Sequence, residues 1–205
     1  TGRVLECLSW HGLRLDHPAI RRAVQYIETK QEREGCFFGR WGVNYIYGTW
    51  QAVIGPIRCG VSRDAAWIKR AGAWVKSVQK ADGSFGESAN SYENPSLKGQ
   101  GPSTASQTAW AAMILQEIYG ANDPDLQRAV EWLARTQLTP ADAADPLKNP
   151  DGDPAGSWCE TEFTGTGFPK VFYLRYHMYR LYFPLMAIGR ALAAKGIRVQ
   201  ESAVA

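Results

Sequence analysis

Two stretches of the chain place apolar residues three and four positions apart, with polar residues between them. This spacing is the period of an α-helix, so the apolar members of each stretch share one helix face. The two sets are Ile20, Ala23, Val24 and Ile27, and Trp67, Ala71, Trp74 and Val78. The pattern predicts amphipathic helices that bury one face and expose the other.

Three longer stretches are apolar on all sides and predict buried helices. The first covers residues 43–55 and ends at Pro56, where we expect the helix to break. The second covers residues 103–119, with a Pro-Ser-Thr segment at its start and a glycine at its end. The third covers residues 173–194 and contains Pro184, which should kink or interrupt it. Strand patterns are weak throughout, so the sequence predicts an all-α protein.

A repeat connects these predicted helices. Each of its three copies has a basic–small pair, an aromatic–aliphatic pair, a glutamine, a glycine and an aromatic residue in that order. The copies cover residues 22–37, 70–85 and 128–158, and the third contains an insertion at 138–155 that we expect to be a surface loop. We expect each helix to end near its glutamine, which can bond groups at helix ends, while the glycine lets the chain turn and the aromatic residue packs back over that turn. The glutamines are Gln31, Gln79 and Gln137, the glycines are Gly35, Gly83 and Gly156, and the structural aromatic residues are Tyr26, Phe37, Trp74, Phe85, Trp132 and Trp158.

Composition narrows the class of protein. The 205 residues can form one domain with a core, and 8 Trp and 9 Tyr are a large aromatic share that usually serves packing or recognition. The net charge is +3 and the basic residues are scattered, so we do not expect a nucleic-acid partner. The four cysteines lie far apart, without the close pairs of a zinc site or the density of a disulfide framework. No apolar run is long enough to span a bilayer.

Four segments resemble the signature sequences of one enzyme family. They read FGRWGVNYIYGT at 38–49, SQTAWA at 106–111, TGTGFP at 164–169 and FYLRYHMYR at 172–180. The Gln…Gly…Trp/Phe repeat is similar to the QW motif of the same family. By these segments the chain is identified as a member of the squalene-hopene and oxidosqualene cyclases, and residues 1–205 are interpreted as the C-terminal part of the catalytic barrel domain.

This resemblance implies a fold and an activity. The implied fold is an all-α, α/α toroid of the α6-α6 barrel type, present here as an incomplete barrel. The implied activity is the conversion of squalene or a related polyprenoid to pentacyclic hopanoid triterpenes through carbocations, without a metal or organic cofactor. The resemblance also implies a monotopic protein on the cytoplasmic side of a membrane, with a homodimer as a further expectation.

The acid that starts this chemistry in the family belongs to a DxDD motif, and the 205 residues contain no such segment. The nearest strings, at 123–125 and 151–154, lie in predicted loops. We therefore assign no catalytic residue to this chain and expect it to be inactive alone. Because residues 3–8 read like the middle of a helix, we interpret the chain as a piece of a longer protein. The resemblance places Arg3 near the position that hydrogen-bonds the initiating acid. A partly exposed arginine on a helix is the other interpretation, and both stay open.

Stabilising a carbocation requires a surface that attracts positive charge without reacting with it. The face of an aromatic ring does so through its quadrupole, and an apolar cavity keeps water away. The spacing of Phe172, Tyr176 and Tyr179 predicts that they share one helix face. An ordinary hydrophobic core would show the same spacing, so both interpretations stay open. The resemblance implies that the cavity wall includes Trp41, Tyr47, Phe168, Phe172, Tyr176 and Tyr179, supported from behind by Tyr173.

Two other classes of function stay open on the sequence. One is a non-catalytic helical-repeat protein that binds an apolar ligand in a groove. The other is a different toroid enzyme, such as a protein prenyltransferase β subunit, which needs zinc ligands of the Asp, Cys and His types. Cys159 and His177 are present, but both lie in cyclase-like segments. Because His11, His17 and His177 show no ligand spacing, the sequence predicts no metal site.

Overall fold

The computed structural model describes residues 1–197. Within that range the chain forms eight α-helices, two short 3₁₀ helices and one two-stranded sheet. The helices are α1 Gly2–Trp10, α2 Pro18–Glu28, α3 Tyr45–Arg58, α4 Ala66–Ser77, α5 Ala105–Tyr119, α6 Pro124–Thr136, α7 Pro140–Ala143 and α8 Tyr179–Ala194. The 3₁₀ helices are Ala89–Tyr92 and Pro95–Leu97, and the strands are β1 Gly165–Phe168 and β2 Phe172–Leu174.

The helices form two layers. Helices α1, α3, α5 and α8 pack side by side in that order, and α2, α4 and α6 each pack against one or two of them. Helices α3 and α5 are buried on nearly all sides. Inner helices that alternate along the chain with outer helices are the arrangement of an α/α toroid, so the predicted all-α fold class is confirmed.

The outer helices are amphipathic, as the periodicity predicts. Helix α2 buries Ile20, Val24 and Ile27 and exposes Arg21 and Arg22. Most of the stability of such a helix comes from packing its apolar face against neighbouring helices, since a helix of this length is marginal in isolation.

The glutamine of the first repeat joins two outer helices. The side-chain amide of Gln31 donates to the carbonyl oxygens of Gly35 at 2.8 Å and Trp67 at 2.7 Å, and the Arg70 guanidinium donates to its Oε1. Gly35 has a φ of +107°, and a Cβ there would lie 2.5 Å from the carbonyl oxygen of Arg70. Glycine is therefore required for the turn to approach α4 this closely.

The second repeat reproduces this connection and the third reproduces part of it. Gln79 donates to the carbonyl oxygens of Gly83 at 2.9 Å and Asp125 at 2.8 Å, and Arg128 donates to Gln79 at 2.6 Å. Gln137 donates to the carbonyl oxygen of its turn glycine at 2.7 Å. The first two glutamines thus bond a turn and the first turn of the next outer helix, rather than the end of their own helix.

The aromatic residues that follow the repeat glycines are buried and pack back over their turns. Phe85 and Trp158 are 0% and 1% exposed, and Trp158 Nε1 donates to the carbonyl oxygen of Leu133 in α6 at 2.8 Å. Tyr26 departs from the predicted structural role, because its side chain is 55% exposed and the Lys30 ammonium lies 5.3 Å from its ring centroid.

Helix α3 does not break at Pro56, which corrects the prediction for residues 43–55. A proline removes one amide hydrogen bond, but its ring fixes φ near the helical value. The neighbouring residues hold the helix in place. Gly55 approaches α1 so closely that a Cβ would lie 2.4 Å from the Gly2 carbonyl oxygen, and Arg58 bonds a carboxylate of α1 at 2.9 Å.

The prediction of one helix over residues 173–194 is wrong in its first part. The chain forms β2 there, paired antiparallel with β1, and α8 begins only at Tyr179. Helix α8 then continues through Pro184 without interruption. The hairpin is fixed by a distant segment, because the Thr166 amide donates to the carbonyl oxygen of Trp41 at 2.9 Å. Local spacing along the chain does not reveal such pairing.

The helix face predicted for three aromatic residues is also wrong. Phe172 lies in β2, Tyr176 in the connection between β2 and α8, and Tyr179 at the start of α8. Phe172 packs on Phe168, whereas Tyr176 packs on Tyr179. The predicted residues therefore form two groups rather than one stripe.

Candidate aromatic site

Aromatic side chains from three inner helices meet in one cluster. Tyr47 and Trp50 come from α3, Trp110 from α5, and Tyr179 and Phe183 from α8. The Trp110 ring centroid lies 4.9 Å from that of Tyr47 and 5.6 Å from that of Tyr179. The Phe183 centroid is 5.3 Å from Trp110, and Trp50 is stacked on Trp110 at 6.2 Å. Most of these contacts are edge-to-face, which is favourable because a positive ring edge meets a negative ring face.

Two further groups lie at the edge of this cluster. Tyr176 is 38% exposed, and its ring centroid is 4.8 Å from that of Tyr179. Arg3 on α1 places its guanidinium carbon 4.7 Å from the centroid of the Trp50 ring. The structure thus brings together three residues that the sequence predicts for the cavity wall, Tyr47, Tyr176 and Tyr179, and places Arg3 beside them.

The partly buried phenols of the cluster are held in their neutral form. Burial raises the pKa of Tyr47, and the positive charge of Arg3 opposes part of that shift. Burial also raises the pKa of Tyr179, and the neighbouring phenols of Tyr47 and Tyr182 raise it further. A neutral phenol is a poor nucleophile and keeps an electron-rich ring, so it can attract a cation without reacting with it.

The β-hairpin carries a second aromatic group. The ring centroids of Phe168 and Phe172 are 5.9 Å apart, and the two residues are 53% and 45% exposed. Gly167 permits this approach, because a Cβ there would lie 2.0 Å from the Phe172 ring. The two phenylalanines predicted for the cavity wall therefore lie together on an open surface of the chain.

Trp41 lies on the loop before α3 and faces a cleft. Its carbonyl oxygen accepts the amide of Thr166, so the loop is joined to β1. The residue is 50% exposed and, with Arg3, Tyr47 and Phe38, lines a cleft of about 710 Å³. The structure thus puts Trp41 and Tyr47 on the same concave surface.

Tyr173 contacts a residue that fixes this loop. Its ring is stacked on Tyr92, with centroids 5.8 Å apart and 18° between the planes. Tyr92 is 3% exposed; its hydroxyl donates to the carbonyl oxygen of Gly39 at 2.7 Å, and the carbonyl oxygen of Gly42 lies at 2.9 Å. Tyr173 therefore lies behind the segment that carries Trp41, where a supporting residue would be placed.

Two buried glutamates hold the N-terminal ends of α3 and α5. Glu87 Oε2 accepts the amide of Ile46 at 2.9 Å. Glu160 accepts the amide and hydroxyl of Ser106 at 2.8 and 3.0 Å, and the hydroxyl of Thr164 at 3.1 Å. Burial raises the pKa of both carboxyl groups, and these hydrogen bonds oppose the shift. Because first-turn amides lack partners within their helix, each glutamate fixes the start of a helix that carries a ring of the cluster.

Sequence reasoning missed these glutamates and three rings of the cluster. Glu87 and Glu160 each follow the glycine of their repeat by four positions, and that shared offset is a signal that could have found them. Trp50, Trp110 and Phe183 lie in helices whose burial the sequence predicts. Periodicity does not show which buried rings of different helices meet.

Among residues 1–197, no group of three or more His, Cys, Asp or Glu side chains is arranged to hold a metal ion. No helix in that range has both the length and the apolar character needed to cross a membrane. What the site offers chemically is the accessible part of the Tyr47, Tyr176 and Tyr179 rings, packed against the fully buried Trp50, Trp110 and Phe183.

Comparison with known proteins decides the family. The family model of the squalene-hopene cyclase C-terminal domain matches residues 1–193. The chain belongs to the squalene-hopene cyclase family. This membership is the one that the four signature segments predict, and it replaces the prenyltransferase alternative.

Three curated proteins align with nearly all of the chain. A squalene–hopene cyclase of Zymomonas mobilis is 40% identical over 192 residues, which make up 93% of this chain and 27% of that protein. A squalene–hopene cyclase of Alicyclobacillus acidocaldarius is 42% identical over 190 residues, or 93% and 28%. A dammaradiene synthase of Dryopteris crassirhizoma is 38% identical over 216 residues, or 93% and 29%. The chain thus spans a little over a quarter of the length of these relatives.

Proposed function

We propose that the complete protein containing this chain converts squalene or a related polyprenoid to pentacyclic triterpenes, and that this chain supplies part of the aromatic cavity wall. The observation that carries the proposal is the position of Tyr47, which lines the cleft and packs on Trp110, the shared neighbour of Tyr179, in a chain of the squalene-hopene cyclase family. The relatives named above are cyclases or a synthase by name, which supports an enzyme rather than a binding protein.

The aromatic groups suit the chemistry of a cation that moves along a hydrocarbon. Each desolvated cation–ring contact contributes roughly 0.5–2 kcal/mol, and it adds no atom that could trap the cation. Tyr47 and Tyr179 stay neutral because burial raises the pKa of both. Rings fixed before the reaction begins need no reorganisation as charge develops, which is the condition for electrostatic stabilisation of a transition state.

The initiating proton is not assigned to this chain. The 205 residues contain no DxDD segment. The two buried glutamates are engaged with helix amides and hydroxyls rather than directed at the cleft. Arg3 lines the cleft and carries a guanidinium beside Trp50, so its role in the proposal is to bond and tune an acid supplied by another part of the protein.

A substrate without polar groups would be taken from a bilayer, so the proposal also places the complete protein at a membrane surface. The cytoplasmic side of the membrane and a homodimeric assembly stay predictions.

The test is incubation of the complete gene product with squalene in detergent, followed by gas chromatography and mass spectrometry. The proposal expects pentacyclic products of squalene mass, or that mass plus one water. Binding of squalene without conversion would favour the non-catalytic helical-repeat alternative. The absence of both binding and conversion would reject the proposed substrate class.

A further inference from the structure

The insertion in the third repeat does more than cover the surface. Residues 138–155 include α7 and turns that are mostly exposed, but Asn149 and Asp153 are only 3% and 7% exposed. Asn149 Nδ2 donates to the carbonyl oxygen of Asp153 at 2.8 Å and its Oδ1 accepts the Asp153 amide at 2.9 Å. The end of the insertion is therefore a fixed structure that holds Asp153 in one position.

Asp153 is bonded to the start of α8. Its carboxylate accepts a hydrogen bond from the guanidinium of Arg180, and both side chains are 7% exposed. Arg180 also donates to the carbonyl oxygen of Glu160 at 3.1 Å, and its guanidinium lies 3.5 Å from a carboxylate oxygen of Asp151. His177 Nδ1 lies 3.0 Å from the same guanidinium. Arg180 is thus a buried cation that two carboxylates of the insertion neutralise.

The insertion also contacts the connection between β2 and α8. Asp151 pairs with Arg175, which is five residues before Arg180. The segment between the two arginines carries Tyr176 and Tyr179, whose rings lie 4.8 Å apart. Asp151 and Asp153 therefore hold both ends of the segment that places these two tyrosines at the edge of the aromatic cluster.

We propose that the insertion at residues 138–155 positions the two tyrosines through its pairing with Arg175 and Arg180, and so determines how far the ring-forming cascade proceeds before it stops. This inference rests on the proposed cyclase function. Asp151 and Asp153 are positioning residues, because they act through the arginines and not on the substrate.

Stabilisation of a cation by Tyr176 and Tyr179 depends on where their rings lie. Attraction between a cation and a ring face is effective only within about 6 Å of the ring centroid, so a shift of a ring weakens it directly. Loss of the Asp153 charge would leave the buried Arg180 with only the longer contact to Asp151, at 3.5 Å, and removing one partner of a buried ion pair is strongly destabilising. The part of the chain that would move is the segment 175–180, which carries Tyr176 and Tyr179.

The experiment compares products of the complete protein with squalene for the wild type, Asp153→Asn and Asp142→Asn. Asp142 is a matched control, since it lies in the same insertion but bonds Lys148 and Thr139 instead of an arginine near the tyrosines. We expect Asp153→Asn to raise the ratio of incompletely cyclised to pentacyclic products roughly fivefold, the effect of weakening about one cation–ring contact. Asp142→Asn should leave the ratio at its wild-type value. Asp153→Glu, which keeps the carboxylate, should return the ratio most of the way to that value.

A simple loss of stability would lower total turnover without changing the product ratio, so the ratio separates positioning from unfolding. If Asp153→Asn does not fold, Asp151→Asn provides the same test at a carboxylate that is 25% exposed. Equal product ratios for the Asp153 or Asp151 variant and the Asp142 control would overturn the inference.

If the wild type does not convert squalene, the proposed cyclase function fails first, and the claim about products fails with it. Hydrogen exchange then decides the structural part. Faster exchange over residues 175–183 in Asp153→Asn than in Asp142→Asn supports positioning of the turn by the insertion, and equal exchange rejects it.

Discussion

At the scale of single residues, the cavity role rests on rings that the fold brings into contact. Trp110 lies between Tyr47 and Tyr179, although these residues are far apart in the chain. The resemblance of short segments predicts Tyr47 and Tyr179, because family signatures carry them. It does not predict that Trp110 would be the shared neighbour, since that depends on how α3, α5 and α8 pack.

Replacement of Phe172 by Ala in the complete protein should raise the share of prematurely terminated ring systems roughly threefold, because the variant removes one aromatic face that we assign to the cavity wall. Product analysis with squalene measures this share. Phe163→Ala is the matched control: Phe163 is also 50% exposed but lies outside both aromatic groups. The same product profile in Phe172→Ala and wild type would remove Phe172 from the cation-stabilising set.

The partly buried phenol of Tyr47 should make the stability of the protein sensitive to high pH. Burial raises the pKa of Tyr47 in the folded state above the unfolded value of about 10. Between these two pKa values the phenol loses its proton on unfolding, so the free energy of unfolding falls as the pH rises. The contribution of the neutral phenol is fully present below pH about 10 and is lost as the pH rises through the folded pKa.

Urea denaturation of the complete protein at a series of pH values, followed by circular dichroism, measures this dependence. The free energy of unfolding of Tyr47→Phe should fall less steeply above pH about 10 than that of wild type, because phenylalanine has no proton to release. Parallel curves for the two proteins would show that Tyr47 is not the group responsible.

At the scale of elements, the repeat glutamines act as cross-links between consecutive outer helices. Gln79 bonds its turn, α6 and Arg128, whereas Gln137 bonds only its turn among the described residues. The sequence predicts that the repeat glutamine connects one unit to the next, but it places the hydrogen bonds of that glutamine at helix ends in general. The actual acceptors are fixed by the approach of each turn to the next helix, which a repeat pattern does not specify.

Gln79→Ala should lower the free energy of unfolding by about 2 kcal/mol, because it removes the two hydrogen bonds that Gln79 donates and the one that it accepts from Arg128. Gln137→Ala, which loses one hydrogen bond, should cost no more than about 1 kcal/mol. Chemical denaturation of both variants in the complete protein tests the difference. A larger loss for Gln137→Ala would contradict the proposed cross-link.

At the scale of the whole molecule, periodicity predicts the helical layers and fails at the hairpin. Helices α2, α4 and α5 follow from their apolar spacing because a helix is specified by residues near one another in the chain. The hairpin depends on the pairing of β1 with the Trp41 loop, over a hundred residues away in sequence. The pairing of Asp153 with Arg180 does not follow from local spacing either, since 27 positions separate the two residues.

Residues 1–205 expressed alone should be insoluble or dynamic. Large apolar side chains lie half exposed on one part of the chain, and contiguous surfaces of this kind promote association. They include Trp41, Phe168, Val171 and Phe172. Size-exclusion chromatography and thermal unfolding test this expectation. A monomer that melts in one cooperative transition would contradict it.

The most direct test of the cation-stabilising wall is a binding comparison in the complete protein. One ligand is a linear polyprenoid with a protonated tertiary amine in place of an alkene carbon, and the other is its neutral carbon isostere. Calorimetry measures both affinities at a pH where the amine is charged. Two or more cation–ring contacts predict that the charged ligand binds at least about tenfold more tightly, with a smaller ratio in Phe172→Ala. Equal affinities for the two ligands would contradict the account.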